Sequence, residues 1–456
     1  MGDSIITMLA SKLPDPIGSA ILRSDLAKSM IHSASWALVG SALAQAMSFA
    51  GSVLLARLLG ASKFGELGIV ISTATVFSTF AAMGLGVTAS KHVAHYRVSD
   101  PERAGRMIGL ALSTSAIAGA FVGVVLLGLA PLVSGRFLAA PHLASDIRLS
   151  SIMILTLALN GGQTGALSGF SAFKSLARAN AIRATYIVPA LYLGASRGGL
   201  RGAVLGYCLL GLLDFCVYQR ILKSVCRRDN IRISFRFVRE DWKVLIGFSV
   251  PVLIAGISFM PAVWVANAFL VRKAGYLQMG IFAAAFQWQT VILFLSNAVS
   301  QIGLPTLSGI RAQGDPGRYM KAFFSLMFMT ATPAVLLGLP VILLSHHIMK
   351  LYGPDYVRGS AALGLICVGA ILTSLNIPCG HAIWSLDAPI AGMLFALLRG
   401  GLLAAFAWWL TPMGAVGLAG AYLCMALVQT LVQGPYLYLL LKSQFTLSPA
   451  PVSTMP

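Results

Sequence analysis

The chain has 456 residues, of which 57% are hydrophobic and only 10% are charged. Soluble domains are usually about 25% charged, so this composition, with a mean hydropathy of +0.82, argues against a water-soluble globular enzyme. The net charge of +19 on so apolar a chain indicates loops that face an anionic membrane leaflet, and no nucleic-acid partner is predicted.

Uncharged runs that are long enough to cross a bilayer recur along the whole chain. A bilayer core of about 30 Å requires roughly 20 apolar residues per helix. The uncharged runs that supply one span each are 29–56, 67–90, 107–135, 149–173, 244–271, 322–349 and 359–386. Two shorter candidates that contain charged residues, roughly 179–196 and 200–222, supply one span each. The stretch 274–310 supplies another span and a loop from Leu304-Pro305 onward, and 388–441 supplies two. The sequence therefore predicts an all-α polytopic membrane protein with about twelve transmembrane helices.

The basic residues predict the orientation of these helices. If the N-terminus is inside, about two thirds of the 33 Lys and Arg residues fall on cytoplasmic segments, as the positive-inside rule requires. The predicted order, with both termini inside, is a cytoplasmic N-terminal segment (1–33), an N-lobe of helices 1–6 (34–222), a basic cytoplasmic loop (223–243), a C-lobe of helices 7–12 (244–441) and a cytoplasmic tail (442–456).

An internal repeat supports the division into two six-helix lobes. Three residues recur 215 positions later, so that Arg57, Gly60 and Gly65 fall on Arg272, Gly275 and Gly280. Farther along, "GLRGAVL" (199–205) resembles "GLAGAYL" (417–423) at an offset of 218. Because each repeat has an even number of helices, the lobes run parallel, and they can rock about a shared cavity that opens alternately to each side.

The stretch 36–97 resembles the opening of a known transporter family. The matching elements are Arg57, Gly60, Phe64-Gly65 and Gly84-Leu85-Gly86, within "LLARLLGASKFGELGIVISTATVFSTFAAMGLGVTASKHVA", and "LIGFSVPVLIAGI" (245–257) opens the second half in a similar way. On these elements the chain resembles the polysaccharide exporter or oligosaccharide flippase family (O-antigen flippase-like) of the multidrug/oligosaccharidyl-lipid/polysaccharide transporter superfamily.

This resemblance implies a function as well as a fold. Members are twelve-helix, two-lobed proteins that move lipid-linked sugars across the bacterial inner membrane. The resemblance thus implies a multi-pass inner-membrane flippase, not an enzyme, that exports undecaprenyl-diphosphate-linked repeat units for O-antigen, capsule or exopolysaccharide by alternating access. The implied partners are the lipid-linked oligosaccharide, membrane lipids and other polysaccharide assembly proteins.

Arginines within or at the edge of the spans are the candidates for binding a diphosphate. An ionisable group at membrane depth is costly, so it needs a partner or a water-filled cavity. Arg399 lies near the predicted midplane and faces either a central cavity or a buried partner. Arg57 and Arg272, at the outer ends of helices one and seven, either reach the outer headgroups or form a two-fold pair of diphosphate contacts.

Arg183 in helix five and Asp214 in helix six lie at similar predicted depths. They form either a structural ion pair or a coupling site, in which Asp214 binds a proton or Na⁺ under the influence of Arg183. Arg183 is also a candidate cavity cation. With Lys174 and Arg178 it would form an entry site at the inner side, although the positive-inside bias by itself explains those two residues.

Polar residues inside the spans are the candidates for contacting sugars. Gln287, Trp288 and Gln289 lie in helix eight, and Asn160 begins a polar stretch (160–163) that we expect to interrupt helix four. The alternative is interhelical hydrogen bonding by the amides. The six cysteines show neither metal-ligand nor disulfide spacing, so no metal and no cofactor are predicted apart from a coupling H⁺ or Na⁺.

Two other functions stay open at this point. An ion-coupled drug or metabolite antiporter of the same superfamily would need deep acidic residues in the first lobe, where only Asp214 lies deep, and Arg183 and Arg399 favour anions. A membrane glycan polymerase or ligase would need a larger outer loop than 133–149 to carry its catalytic residues.

Overall fold

The computed structural model describes residues 25–82, 84–235 and 259–446, and at 25–37, 389 and 445–446 it describes the backbone alone. The first 24 residues, the end of the predicted basic loop (236–243), the segment "LIGFSVPVLIAGI" (245–257) and the tail from 447 therefore lie outside the described residues. In the described part of the chain the structure is helical and contains no strand, which confirms the predicted all-α class.

The helices follow one another with short connections. They are α1 (Asp25–Ala82), α2 (Leu85–Ser99), α3 (Pro101–Leu132), α4 (Ala144–Gly169), α5 (Phe173–Arg228), α6 (Met260–Ser300), α7 (Gly303–Arg311), α8 (Pro316–Leu343), α9 (Ser345–Tyr352), α10 (Ser360–Ser385), α11 (Pro389–Leu410) and α12 (Ala415–Thr446). A π-helical turn at Val133–Phe137 and 3₁₀ turns at Pro141–Leu143, Pro354–Gly359 and Thr411–Met413 join some of them.

Nine helical segments among the described residues are long and apolar enough to cross a membrane. Three of them are bent, because α1, α5 and α6 each contain a glycine with a non-helical backbone, at Gly60, Gly199 and Gly275 respectively. Dividing the three helices at these glycines gives twelve segments, which agrees with the predicted number. Because residues 236–258 are not described, the count of about twelve crossings stays a prediction.

Two local predictions are wrong. α4 continues from Ala144 to Gly169 without an interruption at 160–163, because the Asn160 amide donates a hydrogen bond to the Gly211 carbonyl of α5 and leaves the backbone of α4 intact. The residues from Leu304 onward form α7 instead of a loop. Pro305 lies in the first turn of that helix, where its missing N–H removes no helical hydrogen bond.

The chain divides into two compact units. The first comprises the described parts of 1–52, 77–130 and 145–254, and the second comprises 53–76, 131–144 and the described part of 255–456. The second unit therefore contains both members of the first repeat match, the residues around Gly60 and those around Gly275. The predicted lobes (34–222 and 244–441) follow the repeat rather than these units, and they stay a prediction.

Each unit has an apolar core that contains repeat-related residues. The first core includes Ile108, Leu167 and Leu222, and the second includes Phe323, Ile383 and Leu437. Each residue of the second set follows its counterpart by 215 or 216 positions. The two halves therefore fold in the same way although few of their residues are identical.

The first repeat match is a point of very close contact within the second unit. Gly60 and Gly275 adopt nearly the same left-handed backbone, with φ/ψ of 72°/167° and 85°/173°. After each bend comes a glycine that faces the other segment. A Cβ at Gly65 would lie 2.0 Å from the Tyr276 carbonyl oxygen, and a Cβ at Gly280 would lie 1.9 Å from that of Ala61. Since Ala61 and Tyr276 are also 215 positions apart, the contact has local two-fold symmetry.

The second repeat match is displaced from its predicted register. Gly199 and Gly414 bend the chain in the same way, with φ/ψ of 55°/−132° and 72°/−146°. They are 215 positions apart, so the offset of 218 derived from the sequence motif pairs the wrong glycines. Glycine and leucine recur so often in these segments that matching residue types alone selects an offset a few residues from the correct one.

The predicted inner ends of the halves share a motif that the sequence analysis missed. Asp100 caps α3 by accepting a hydrogen bond from the Arg103 N–H at 2.9 Å, and Asp315 caps α8 by accepting one from the Arg318 N–H at 2.9 Å. Both sites read Asp-Pro-x-Arg and lie 215 positions apart. The motif was visible in the sequence and gives a third anchor for the repeat.

Candidate substrate and coupling sites

Arg183 and Asp214 are brought together between the two segments of α5. The Arg183 Nε lies 3.1 Å from the Asp214 Oδ2. The Tyr186 hydroxyl donates a hydrogen bond to the Asp214 Oδ1 at 2.6 Å. The pair borders a small cavity of about 100 Å³, which Thr156 and Tyr207 also line. Arg183 is therefore a neutralised cation, which corresponds to the ion-pair alternative.

Arg399, on α11, has a different environment. Its guanidinium carbon lies 3.9 Å from the centroid of the Phe259 ring, a cation–π geometry. The side chain borders a cavity of about 220 Å³. Within the described part of the chain no carboxylate pairs with Arg399, and its Nε has no hydrogen-bond acceptor. A cation in this state offers its charge and its donors to a ligand.

Amides and aromatic rings form the rest of this cavity. It is lined by Asn376, Gln429 and Gln433, with Trp384 and Phe395 among the apolar members. Gln429 donates a hydrogen bond to the Gln433 side-chain oxygen at 3.1 Å. Amide groups beside flat rings are suited to hydroxyl-rich ligands, because they offer both donors and acceptors.

Arg183 and Arg399 occupy equivalent positions in the two halves. α5 begins at Phe173 and α11 begins at Pro389, each two residues after a residue with a φ of +55°, Ser171 and Asp387 respectively. Each arginine is the eleventh residue of its helix. The repeat therefore places one arginine at the same depth in each half.

A second pair of contacts supports this equivalence. The Asn160 amide donates to the Gly211 carbonyl at 3.3 Å, and the Asn376 amide donates to the Ala426 carbonyl at 3.4 Å. The asparagines are 216 positions apart and the acceptors are 215 apart. By the same offset, the counterpart of Asp214 is Gln429. One half thus holds an Arg–Asp pair where the other holds an arginine and a glutamine.

The arginines at the predicted outer ends have surface environments. Arg57 and Arg272 are both exposed. The Arg57 Nε donates a hydrogen bond to the Leu351 carbonyl at the end of α9. This contact gives Arg57 a structural partner, and the role of Arg57 and Arg272 in binding a diphosphate stays a prediction.

The predicted sugar-contacting residues of α6 are half-buried. The Tyr352 hydroxyl donates a long hydrogen bond of 3.5 Å to the Gln287 side chain, and Trp288 and Gln289 follow Gln287 on the same helix. None of these three borders the Arg399 cavity. Their role in contacting sugar stays a prediction, as does that of Asn160.

Sequence reasoning missed four residues of these sites. They are Tyr186 beside Asp214, and Phe259, Gln429 and Gln433 around Arg399. Gln429 and Gln433 are two amide residues one turn apart in a largely apolar helix, a signal that was available. Tyr186 and Phe259 gave no such signal, because an aromatic residue in a membrane helix is usually apolar packing.

Comparisons with known proteins agree with this architecture. The "EPS I polysaccharide export inner membrane protein EpsE" of Ralstonia nicotianae is 22% identical over 394 residues, covering 84% of this chain and 88% of the relative. The "Lipid III flippase" of Escherichia coli (strain K12) is 24% identical over 394 residues, covering 83% and 92%. A solved inward-facing multidrug resistance MATE family transporter of the MOP superfamily matches with a TM-score of 0.72 at 16% identity, covering 88% of this chain and 96% of that one.

These findings confirm the predicted multi-pass inner-membrane protein and the resemblance to polysaccharide exporters and flippases. The solved transporter shares the fold. Residues 30–311 match the family described as "Polysaccharide biosynthesis protein", and this match covers more than half of the chain. The chain therefore belongs to the polysaccharide biosynthesis protein family.

Proposed function

We propose that this protein is a flippase that moves lipid-linked, diphosphate-bearing oligosaccharides across the bacterial inner membrane for surface or exopolysaccharide synthesis. It acts by alternating access between its two repeat-related halves, as a transporter without a chemical step. The named relatives, a polysaccharide export protein and a lipid III flippase, support the substrate class. Its other partners are membrane lipids and polysaccharide assembly proteins.

One observation carries the proposal: among the described residues no carboxylate pairs with Arg399, which lies in a cavity lined by amides and aromatic rings. Arginine binds phosphate through a planar fork of donors. A substrate diphosphate would supply the missing counter-charge, and the neighbouring amides would contact the first sugars. An organic cation, the substrate class of the drug-antiporter alternative, would meet repulsion here.

Asp214 is the candidate for energy coupling. Its carboxylate accepts a hydrogen bond from Tyr186 and pairs with Arg183. Protonation of Asp214, or binding of Na⁺ to it, would release Arg183 from the pair. The released cation would change the electrostatic balance of that half and so link an ion gradient to substrate movement.

The test is complementation of a deletion strain with Arg399→Ala and Arg399→Lys. We expect Arg399→Ala to abolish surface polysaccharide and to accumulate lipid-linked intermediates on the inner leaflet. Arg399→Lys, which keeps the charge but loses the fork, should retain partial export. Arg201→Ala, an exposed arginine on α5, is the matched control and should export like the wild type.

Two results would count against the proposal. Normal surface polysaccharide in an Arg399→Ala variant expressed at the wild-type level would remove the cavity arginine from the mechanism. A deletion strain with unchanged surface polysaccharide and no lipid-linked intermediate would refute the flippase function itself.

A further inference from the structure

An exposed, largely apolar groove with two basic residues lies at the predicted inner end of the first half. It has a volume of about 510 Å³ and lies between α1 and α5. Its lining consists of Val39, Gly40, Leu43, Lys174, Ala177, Arg178 and Ala181. The groove shares no lining residue with the cavity at Arg183.

A close crossing of the two helices shapes this groove. A Cβ at Gly40 would lie 2.7 Å from the Ala177 carbonyl oxygen, so the backbones touch there. The Asn180 amide also donates to the Ser41 hydroxyl at 3.1 Å across the same crossing. Only glycine permits so close an approach, so Gly40 sets the point at which α1 and α5 cross. On one side of this point the two helices diverge and form the walls of the groove.

The groove combines an apolar wall with a pair of cations. Val39 and Leu43 are 61% and 45% exposed and supply the apolar side. Lys174 and Arg178 are exposed and one helical turn apart, a spacing that brings side chains together. Neither forms an ion pair with an acidic residue of the described chain.

The repeat shows that these charges are not required by the fold. The counterparts of Lys174 and Arg178 on α11, 216 positions later, are Ile390 and Leu394. These counterparts are 70% and 56% exposed, so the same helix start is stable with apolar residues. The basic pair is therefore specific to the first half and is not needed to begin this helix.

We propose that this groove is the docking site where a polyprenyl diphosphate lipid of the inner leaflet first binds the protein. The polyprenyl chain lies along Val39 and Leu43, and the two phosphates contact Lys174 and Arg178. A ligand with two adjacent phosphates matches two cations one turn apart better than a phospholipid with a single phosphate does. The inference rests on the proposed flippase function and adds an entry site to it.

The test measures retention of labelled undecaprenyl diphosphate by the purified full-length protein in phosphatidylcholine nanodiscs. The double variant Lys174→Gln/Arg178→Gln should bind on the order of ten- to thirtyfold more weakly, since each surface cation attracts an anionic lipid independently. Its control is Lys223→Gln/Arg227→Gln, which removes an exposed pair with the same spacing from the other end of α5.

A second pair of variants tests the apolar wall. Leu43→Trp should fill the groove and weaken binding several-fold, whereas Leu38→Trp, at a 42% exposed position of the same helix outside the groove, should not. Equal losses in the matched controls would overturn the site. Displacement of the label by phosphatidylglycerol at equal concentration would identify a general anionic-lipid site instead, and displacement by inorganic diphosphate would identify a free-phosphate site.

Export in the deletion strain separates this inference from the proposed function. If the wild type exports but the Lys174→Gln/Arg178→Gln variant matches it in both binding and export, the docking site is refuted and the flippase function stands. If the wild type neither binds the lipid nor restores export, the flippase function itself is refuted.

Discussion

Gly65 and Gly280 set how closely α1 and α6 approach beside their glycine bends, at the predicted outer side, and alanine at either position should separate them there. The added Cβ would lie 2.0 Å from the Tyr276 carbonyl oxygen in one case and 1.9 Å from that of Ala61 in the other. Backbone must therefore move by 1.0 Å or more merely to reach 3.0 Å, below which Cβ atoms essentially never approach other atoms. Overpacking of this kind costs about 1–3 kcal/mol.

Such a cost shifts the transport cycle if the contact exists only while the outer end is closed. A difference of 1–3 kcal/mol between two states changes their ratio by about 5- to 150-fold. We expect Gly65→Ala and Gly280→Ala to favour the state with the outer end open. Because the contact is two-fold symmetric, the variants should act in the same direction and by similar amounts.

The assay is the distance between spin labels at Ser62 and Leu277 in a cysteine-free protein in nanodiscs. These positions are exposed and repeat-related, and each lies beside the glycine contact. The matched control is Gly68→Ala, one turn farther along α1, where the new Cβ would make an ordinary contact of 3.6 Å with Met279. Folded Gly65→Ala and Gly280→Ala variants with the same distance distribution as Gly68→Ala would refute the reasoning.

Three further predictions test the helix caps, ion coupling by Asp214 and the positive charge of Arg399. Asp100→Ala and Asp315→Ala should each lower the free energy of unfolding by about 1 kcal/mol, measured by thermal melting, and an effect in only one half would contradict their equivalence. Asp214→Asn should abolish ion-driven transport in proteoliposomes, and full transport by a stably folded variant would exclude a coupling role. Gln429→Asp should neutralise Arg399 and reduce export by about tenfold or more, whereas the uncharged Gln429→Asn should not, and equal export by both would show that the charge of Arg399 is not needed.

Composition and hydrophobic runs were sufficient to predict the class, because a membrane helix must be about 20 apolar residues long. The repeat was also visible, but its register was uncertain wherever only glycine and leucine matched. The backbone geometry at Gly199 and Gly414 resolved the register, because a positive φ requires a glycine at one particular position, whereas a match of residue types does not. The three long helices that bend at glycine could not be distinguished in the sequence from separate spans.

The candidate sites were predicted less completely than the fold. Depth along a helix is readable from the sequence, and so the nearness of Arg183 to Asp214 was expected. Whether Arg399 faced a partner or a cavity depended on side chains from α12 and from the start of α6. Such long-range contacts follow from packing, which sequence spacing does not contain. For the same reason the hydrogen bond from Arg57 to the end of α9 was not foreseen.

The repeat offers a way to separate structural from functional residues within this one chain. Where both halves keep the same residue and the same contact, as at Asp100 and Asp315, the shared fold is a sufficient reason for it. Where the two halves share a backbone geometry but differ in side chain, the fold alone does not explain the residue. The other half shows that the same fold accepts a different side chain at that position. Asp214 against Gln429 is such a difference, and Lys174 against Ile390 is another. This difference is consistent with the proposed division of roles, in which Arg399 of the second half binds the anionic cargo in its cavity, while the first half carries both the basic docking pair and the ion-responsive Asp214.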